Sequence, residues 1–177
     1  VEMRINVIGT SGSGKSTFSK RLSEKLDIPY IEMDALYWGP DWRNHPEEIF
    51  SSRVAQALQQ ESWILDGNYN SRTQLKWKRA QIVVWIDYSF PRTLFQAIKR
   101  AITRIITKKE LWAGTGNKES LRKLFSRDSI VLWTITTYKK NRKKYLSIMK
   151  DPHYAHIHFI RIRSPKEMKS CLLSWGV

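Results

Sequence analysis

Apolar and polar positions along the chain alternate between two periods. Met3–Ile8, "MRINVI", is a short apolar run of the kind that fills a buried strand. From Lys15 to Leu26 the apolar residues Phe18, Leu22 and Leu26 recur at helical spacing, with Lys, Ser and Glu between them. "IPYIEM" (Ile28–Met33) predicts a second strand, and "DALYWGPDW" (Asp34–Trp42) a loop broken at Gly39-Pro40. Pro46 suits the first turn of a helix running to about Gln60, with Glu47 and Glu48 at the positive end of its dipole. "WIL" (Trp63–Leu65) is a third strand, and the continuous run "IVVWI" (Ile82–Ile86) suits a central parallel strand.

Pro91 opens a helix to about Ile106, and the two-glycine stretch Thr107–Ser120 predicts a loop. Helices are expected over Leu121–Ser126 and Ser129–Met149, then a fifth strand over Ile157–Ile162. Ser164, Pro165 and Glu167 form a helix start: a cap, a proline at the first position, and an acid completing a capping box. Strands that alternate with helices imply one α/β domain over residues 1–177, its parallel sheet covered on both faces. Functional residues are then expected at the carboxyl ends of strands.

Three such ends carry chemistry. "GTSGSGKST" has the spacing G-x-x-x-x-G-K-[ST], between a strand and a helix. Glycines let successive N–H groups point inward as an anion nest, and the helix start adds its dipole. Gly12, Ser13, Gly14, Lys15, Ser16 and Thr17 are the expected phosphate contacts, with Lys15 on the β/γ-phosphates and Ser16 on Mg²⁺. Asp34, at the second strand end, is placed to orient an acceptor or take its proton. Tyr37, Trp38 and Trp42 beside it suit a ring-shaped acceptor or a packed lid, and Arg43 an acceptor phosphate. Asp66 in "WILDGNY" is expected to hold Mg²⁺ with Ser16 or to contact the substrate, and Gly67, Asn68, Tyr69 and Arg72 are candidate acceptor contacts. Asp87 reads as structural, and His153, His156 and His158 as packing residues.

Composition narrows the partners. The net charge is +15 over 177 residues. Residues 1–90 carry 11 Lys and Arg against 11 Asp and Glu, whereas residues 91–177 carry 20 against 5. That asymmetry points to a polyanion, either ATP with a small phosphorylated substrate or a nucleic acid. No apolar run approaches the roughly 18 residues of a membrane span. The strand-like start and the single Cys171 predict a cytoplasmic chain with no leader and no internal disulfide.

The combination "GTSGSGKST", "IEMDALYW" and "WILDGNY" resembles the P-loop nucleoside and nucleotide kinases. With "LWAGTGNKESL", "FSRDSIVLW" and "RIRSPKE", it is particularly similar to small bacterial adenylate-kinase-like ATPases, also known as DNA topology-modulation proteins. The resemblance implies a five-stranded parallel sheet between two helical layers, with a mobile lid near residues 107–120. It also implies ATP as donor, a nucleoside or nucleotide acceptor, and lid-region cations among Arg92, Arg100, Arg104, Lys108, Lys109, Arg122 and Arg127. Arg100 and Arg104, spaced i,i+4, are the pair expected to act in catalysis. Arg163, followed by Ser164 and Pro165, corresponds to the adenine side. "DGNYNSRTQ" departs from the Asp-Gly-Phe-Pro-Arg stretch of true adenylate kinases, and the lid is short and lacks zinc-type cysteines, which counts against AMP. The rival reading is a nucleic-acid-associated ATPase or polynucleotide kinase that uses the basic second half.

Overall fold

A computed structural model of the chain describes residues 2–69, 72–127 and 129–175; Asn70, Ser71 and Asp128, which fall within the motifs quoted above, lie outside them. Five strands form one sheet: β1 (Arg4–Gly9), β2 (Tyr30–Glu32), β3 (Trp63–Asp66), β4 (Ile82–Ile86) and β5 (His158–Ile162). All pairs are parallel and the order is β2-β3-β1-β4-β5. The helices are α1 (Lys15–Leu26), α2 (Met33–Tyr37), α3 (Glu47–Ala57), α4 (Thr73–Trp77), α5 (Phe90–Thr107), α6 (Leu121–Leu124), α7 (Ile130–Ile148) and α8 (Pro165–Ser174). No described helix is long and apolar enough to cross a membrane.

The two-residue period of each strand sorts its side chains between two cores. Ile5, Val7, Ile64, Val84 and Ile86 point to one face, under Phe18 and Leu22 of α1 and Met168 and Leu172 of α8. Trp63, Leu65, Val83 and Trp85 point to the other, under Phe50 and Val54 of α3, Trp77 of α4 and Tyr145 of α7. This is the three-layer α/β sandwich expected from the alternation of periods. After β1 the chain builds β2 and β3 on one side, then crosses to β4 on the other. The crevice of a doubly wound sheet therefore opens at the carboxyl end of β1, where the phosphate loop begins.

One sequence expectation changes here. The stretch from Asp34 was read as a loop following a strand that ends at Met33. Instead β2 stops at Glu32 and the chain turns at once into α2, with Met33 fully buried. Asp34 thus sits in the first turn of a helix, where a carboxylate favours the positive end of the dipole. The expected break at Gly39-Pro40 appears as a 3₁₀ turn over Pro40–Trp42.

Polar groups under the sheet edge hold the turn after β3. Asn6, fully buried on β1, donates to the carbonyls of Leu65 (2.9 Å) and Gly67 (3.2 Å), and Trp77 Nε1 donates to its Oδ1 at 2.9 Å. Gly67 has a φ of +145°, and a Cβ there would lie 2.8 Å from Met33 Cβ, so β3 and α2 approach as only glycine allows. Lys76, 1% exposed, donates to the carbonyls of Asn68 and Gly67. Burial, with the nearby Lys144 charge, pushes its ammonium down to about 7. Between that value and the ordinary 10.5 the unfolded chain holds a proton that the folded chain lacks, so this group makes stability rise with pH. Urea unfolding at pH 7 and pH 10 should show the native chain gaining roughly 2–4 kcal/mol relative to Lys76→Met. An unchanged difference would mean that the amine stays charged on its two carbonyls.

Candidate functional site

The phosphate loop is held from three sides. Asn68 uses its whole amide on Gly9: Nδ2 donates to Gly9 O at 2.7 Å, and Oδ1 accepts from Gly9 N at 2.9 Å. α5 packs directly on Gly12, whose φ is +83°; a Cβ there would fall 2.8 Å from Ala97 Cβ. Ser11 accepts from Arg100 Nη2 through its hydroxyl (3.2 Å) and from Thr134 Oγ1 through its carbonyl (3.2 Å). No side chain caps the N-terminus of α1, so its first-turn N–H groups face the loop and suit a phosphate.

Acids and cations oppose each other across the mouth of this loop. Ser16 Oγ donates to Asp66 Oδ2 at 2.6 Å, and Tyr30 OH donates to the same oxygen at 2.8 Å. Tyr69 OH donates to Asp34 Oδ1 at 2.5 Å. Burial pushes the Asp34 carboxyl above its ordinary value, while the Tyr69 bond and the Lys15 charge hold it back. Glu32 is raised too, by burial and then by Asp66 and Asp34. On the cationic side, burial lowers Lys15, against the pull of Asp66 and Asp34. Burial, reinforced by Arg104, lowers Arg100 to about 10, which leaves it charged at neutral pH. Arg104 is lowered by burial, and the buried Glu119 supports both guanidiniums.

The segment expected to form a lid packs against the acid side. Residues 108–120 form an irregular hairpin with a bridge between Glu110 and Lys118. Asn117, 2% exposed, clasps the loop after α2: its Nδ2 donates to Gly39 O at 2.9 Å, and its Oδ1 accepts from Trp42 N at 3.0 Å. Trp112 Nε1 donates to Glu32 Oε1 at 3.3 Å. Its ring stacks on Trp38, with centroids 6.2 Å apart, and meets Trp42 edge-on at 5.5 Å.

Lys15, Ser16, Asp34, Asp66, Tyr69, Arg100 and Arg104 are therefore brought to one crevice, beside Gly12, Ser13 and Gly14. Others are engaged elsewhere. Asn68, expected at the acceptor, is spent on Gly9. Trp38 and Trp42, read as stacking partners for an acceptor ring or as a packed lid, pack against each other and against Trp112. Arg72 pairs with Glu47 and lies over Phe50, and Arg43 is exposed. Gly67 serves the close approach to Met33, and Thr17 is exposed on the first turn of α1. Arg163 is exposed; its N–H donates to Glu167, which completes the α8 capping box one residue early. Asp87 binds Arg142 (3.1 Å) and Arg161 (2.5 Å) in a structural cluster over Trp85. His156 bonds the carbonyl of Trp77 at 3.0 Å.

Sequence reasoning missed Tyr30, Glu32, Trp112, Asn117 and Glu119. Only Glu32 had a local signal, the Glu-Met-Asp spacing that sets two acids at one strand end. Mg²⁺ prefers one or two protein oxygens completed by water and phosphate. The Ser16 hydroxyl and Asp66 carboxylate, 2.6 Å apart beside the loop, fit that requirement.

No family model matches the chain. A segment of 32 residues is 59% identical to the bifunctional shikimate kinase/3-dehydroquinate synthase of Thermotoga maritima, covering 18% of this chain and 6% of that protein. Another match, 28% identical over 102 residues, is to the shikimate kinase of Synechococcus elongatus, covering 50% of this chain and 54% of that one. This chain thus aligns with about half the length of the Synechococcus relative and a small part of the bifunctional one. Among solved structures, shikimate kinase from Acinetobacter baumannii in complex with shikimate superposes with a TM-score of 0.59 at 14% identity, over 97% of this chain and 89% of that one. Shikimate kinase from Bacteroides thetaiotaomicron gives a TM-score of 0.55 at 12% identity, over 97% and 94%. The fold is therefore that of the P-loop kinases. The relatives named are shikimate kinases, not the adenylate-kinase-like proteins of the sequence resemblance.

The Tyr69 bond makes a prediction about Asp34. Tyr69→Phe removes the donor that opposes burial, so the carboxyl should titrate at higher pH than in the native chain. A ¹³C-detected carboxyl titration reads the shift directly, and an unmoved Asp34 would rule out the bond.

Proposed function

We propose that the chain is an ATP-dependent phosphotransferase that passes the γ-phosphate to a hydroxyl of a small acceptor bound between Asp34 and the lid. The observation carrying this reading is the opposition of two separately held acids to three half-buried cations across the mouth of the phosphate loop. Phosphoryl transfer asks a protein mainly for positioning and for neutralisation of charge spread over the transferred oxygens. Lys15 and Arg100 meet that demand from two sides, and Arg104 adds a third positive charge. Ser16 and Asp66 would hold Mg²⁺, which would supply further positive charge beside the phosphates.

Asp34 has the other role. Tyr69 occupies one of its oxygens, leaving the second to accept a proton from an acceptor hydroxyl. A carboxyl raised by burial is a better proton acceptor than an exposed one. The lid excludes water, which would otherwise compete as acceptor and release free phosphate. Shikimate is the first acceptor to test, because the relatives and the superposed structures are shikimate kinases. Nucleosides and nucleotides, implied by the motif resemblance, come second.

γ-Labelled ATP should be offered with shikimate, nucleosides, nucleotides and 5′-hydroxyl oligonucleotides in turn. Label is expected on one small acceptor, with little free phosphate; label on oligonucleotides alone, or phosphate release without transfer, would overturn the proposal. Lys15→Ala should cost about 10³-fold or more in turnover, with circular dichroism unchanged. Asp34→Asn should lower kcat about 10²-fold, with the Kd for ATP within about twofold. A parallel loss of ATP affinity would instead assign Asp34 to the metal.

A further inference from the structure

The site uses one face of α5 and leaves the opposite face uncovered. Thr93, Ala97 and Ala101 are buried, and Arg100 and Arg104 turn toward the phosphate loop and lid. Phe95, Ile98, Ile102 and Ile106 follow at spacings of three, four and four residues, which makes one stripe about 16 Å long. They are 65%, 37%, 44% and 74% exposed. α7 packs against α5 and adds Leu132, Trp133 and Ile135, at 40%, 60% and 44%. An exposed apolar stripe of this length on a charged protein marks a surface that meets something.

The charge around the stripe selects the partner. α5, α6 and α7 contain no Asp or Glu at all, and between residues 90 and 150 the acids are only Glu110, Glu119 and Asp128. Exposed Lys99 flanks the stripe, and exposed Lys139, Lys140 and Lys143 continue the outer surface of α7. A second copy related by a two-fold axis would lay acid-free helices against each other, lysine facing lysine. A protein groove would need pockets for side chains that stand out singly, whereas a bilayer takes protruding Phe, Ile and Trp without them. Lysines beside such a stripe place their stems on the apolar boundary and their ammonium groups at phosphate level.

We propose that the outer face of α5 and α7 docks on the surface of an anionic lipid bilayer, with Phe95, Ile98, Ile102, Ile106 and Trp133 in the headgroup–acyl boundary and the lysines of both helices on lipid phosphates. The catalytic crevice lies on the other face of α5, so docking leaves it open to solvent.

Vesicle co-sedimentation of the full chain tests this. Vesicles of phosphatidylcholine with about one third phosphatidylglycerol should pellet the chain at roughly 0.1 M salt, and phosphatidylcholine alone should not. Ile102→Ser with Ile106→Ser should lower the partition coefficient about tenfold or more, with thermal unfolding and ATP binding unchanged. Lys140→Glu with Lys143→Glu should weaken binding to a similar degree, and this pair changes no apolar contact, so it keeps the test informative if the serine variant misfolds. Equal binding to both vesicle types, no binding to either, or binding untouched by both variants would overturn the proposal. So would a dimer in sedimentation velocity that the serine variant dissociates, or retention of the chain on duplex DNA without vesicle binding.

Discussion

Three carboxylates and three cations share a half-buried crevice at the carboxyl edge of the sheet, and most of the surrounding structure serves to keep them apart yet facing. A charge removed from water is costly unless an opposite charge or a hydrogen bond meets it. Lys15 is tolerated because Asp66 and Asp34 face it, Arg100 because Asp34 and Asp66 do, and Arg104 because Glu119 does. The acids in turn are fixed by hydroxyls: Asp66 by Ser16 and Tyr30, Asp34 by Tyr69. Each carboxylate is thereby committed to one orientation before any ligand arrives. This preorganisation lets phosphate charge be met without rearrangement.

The scaffold has the same logic one layer deeper. Asn6, Lys76 and Asn68 are polar groups in or beside the core whose hydrogen bonds go mainly to backbone around β3 and the start of the phosphate loop. Buried polar groups are stable only when satisfied, so each fixes the backbone it satisfies. The Asn68 amide thus ties the turn after Asp66 to the start of the loop carrying Lys15, alongside the Ser16–Asp66 bond.

Legibility of the sequence followed the range of the interaction. The phosphate loop, the strand periods and the cap at Ser164 depend on neighbours within a few residues, so their patterns survive in the linear text. Asp66 and Arg100 were readable because strand ends and i,i+4 spacing carry positional meaning. Asp34 was assigned to the wrong element, since nothing local distinguishes a strand that ends at Met33 from one that yields to a helix there. Trp38, Trp42 and Asn68 were read toward a ligand because each is polar or aromatic near the crevice. Their contacts in the fold, with Trp112 and Gly9, span 74, 70 and 59 positions in sequence, and a contact of that range leaves no periodic trace.

The clasp made by Asn117 joins two segments that would ordinarily vary independently. One side-chain amide reads a carbonyl at Gly39 and an N–H at Trp42, and the indole of Trp112 packs against both Trp38 and Trp42. The lid and the loop after α2 are therefore a matched set. A chimera that grafts another lid over residues 108–120 while keeping residues 37–44 would leave two backbone groups and two indole faces without partners. Recombination within this fold would have to exchange both segments together, so the unit of inheritance at this site is a discontinuous pair, not a loop.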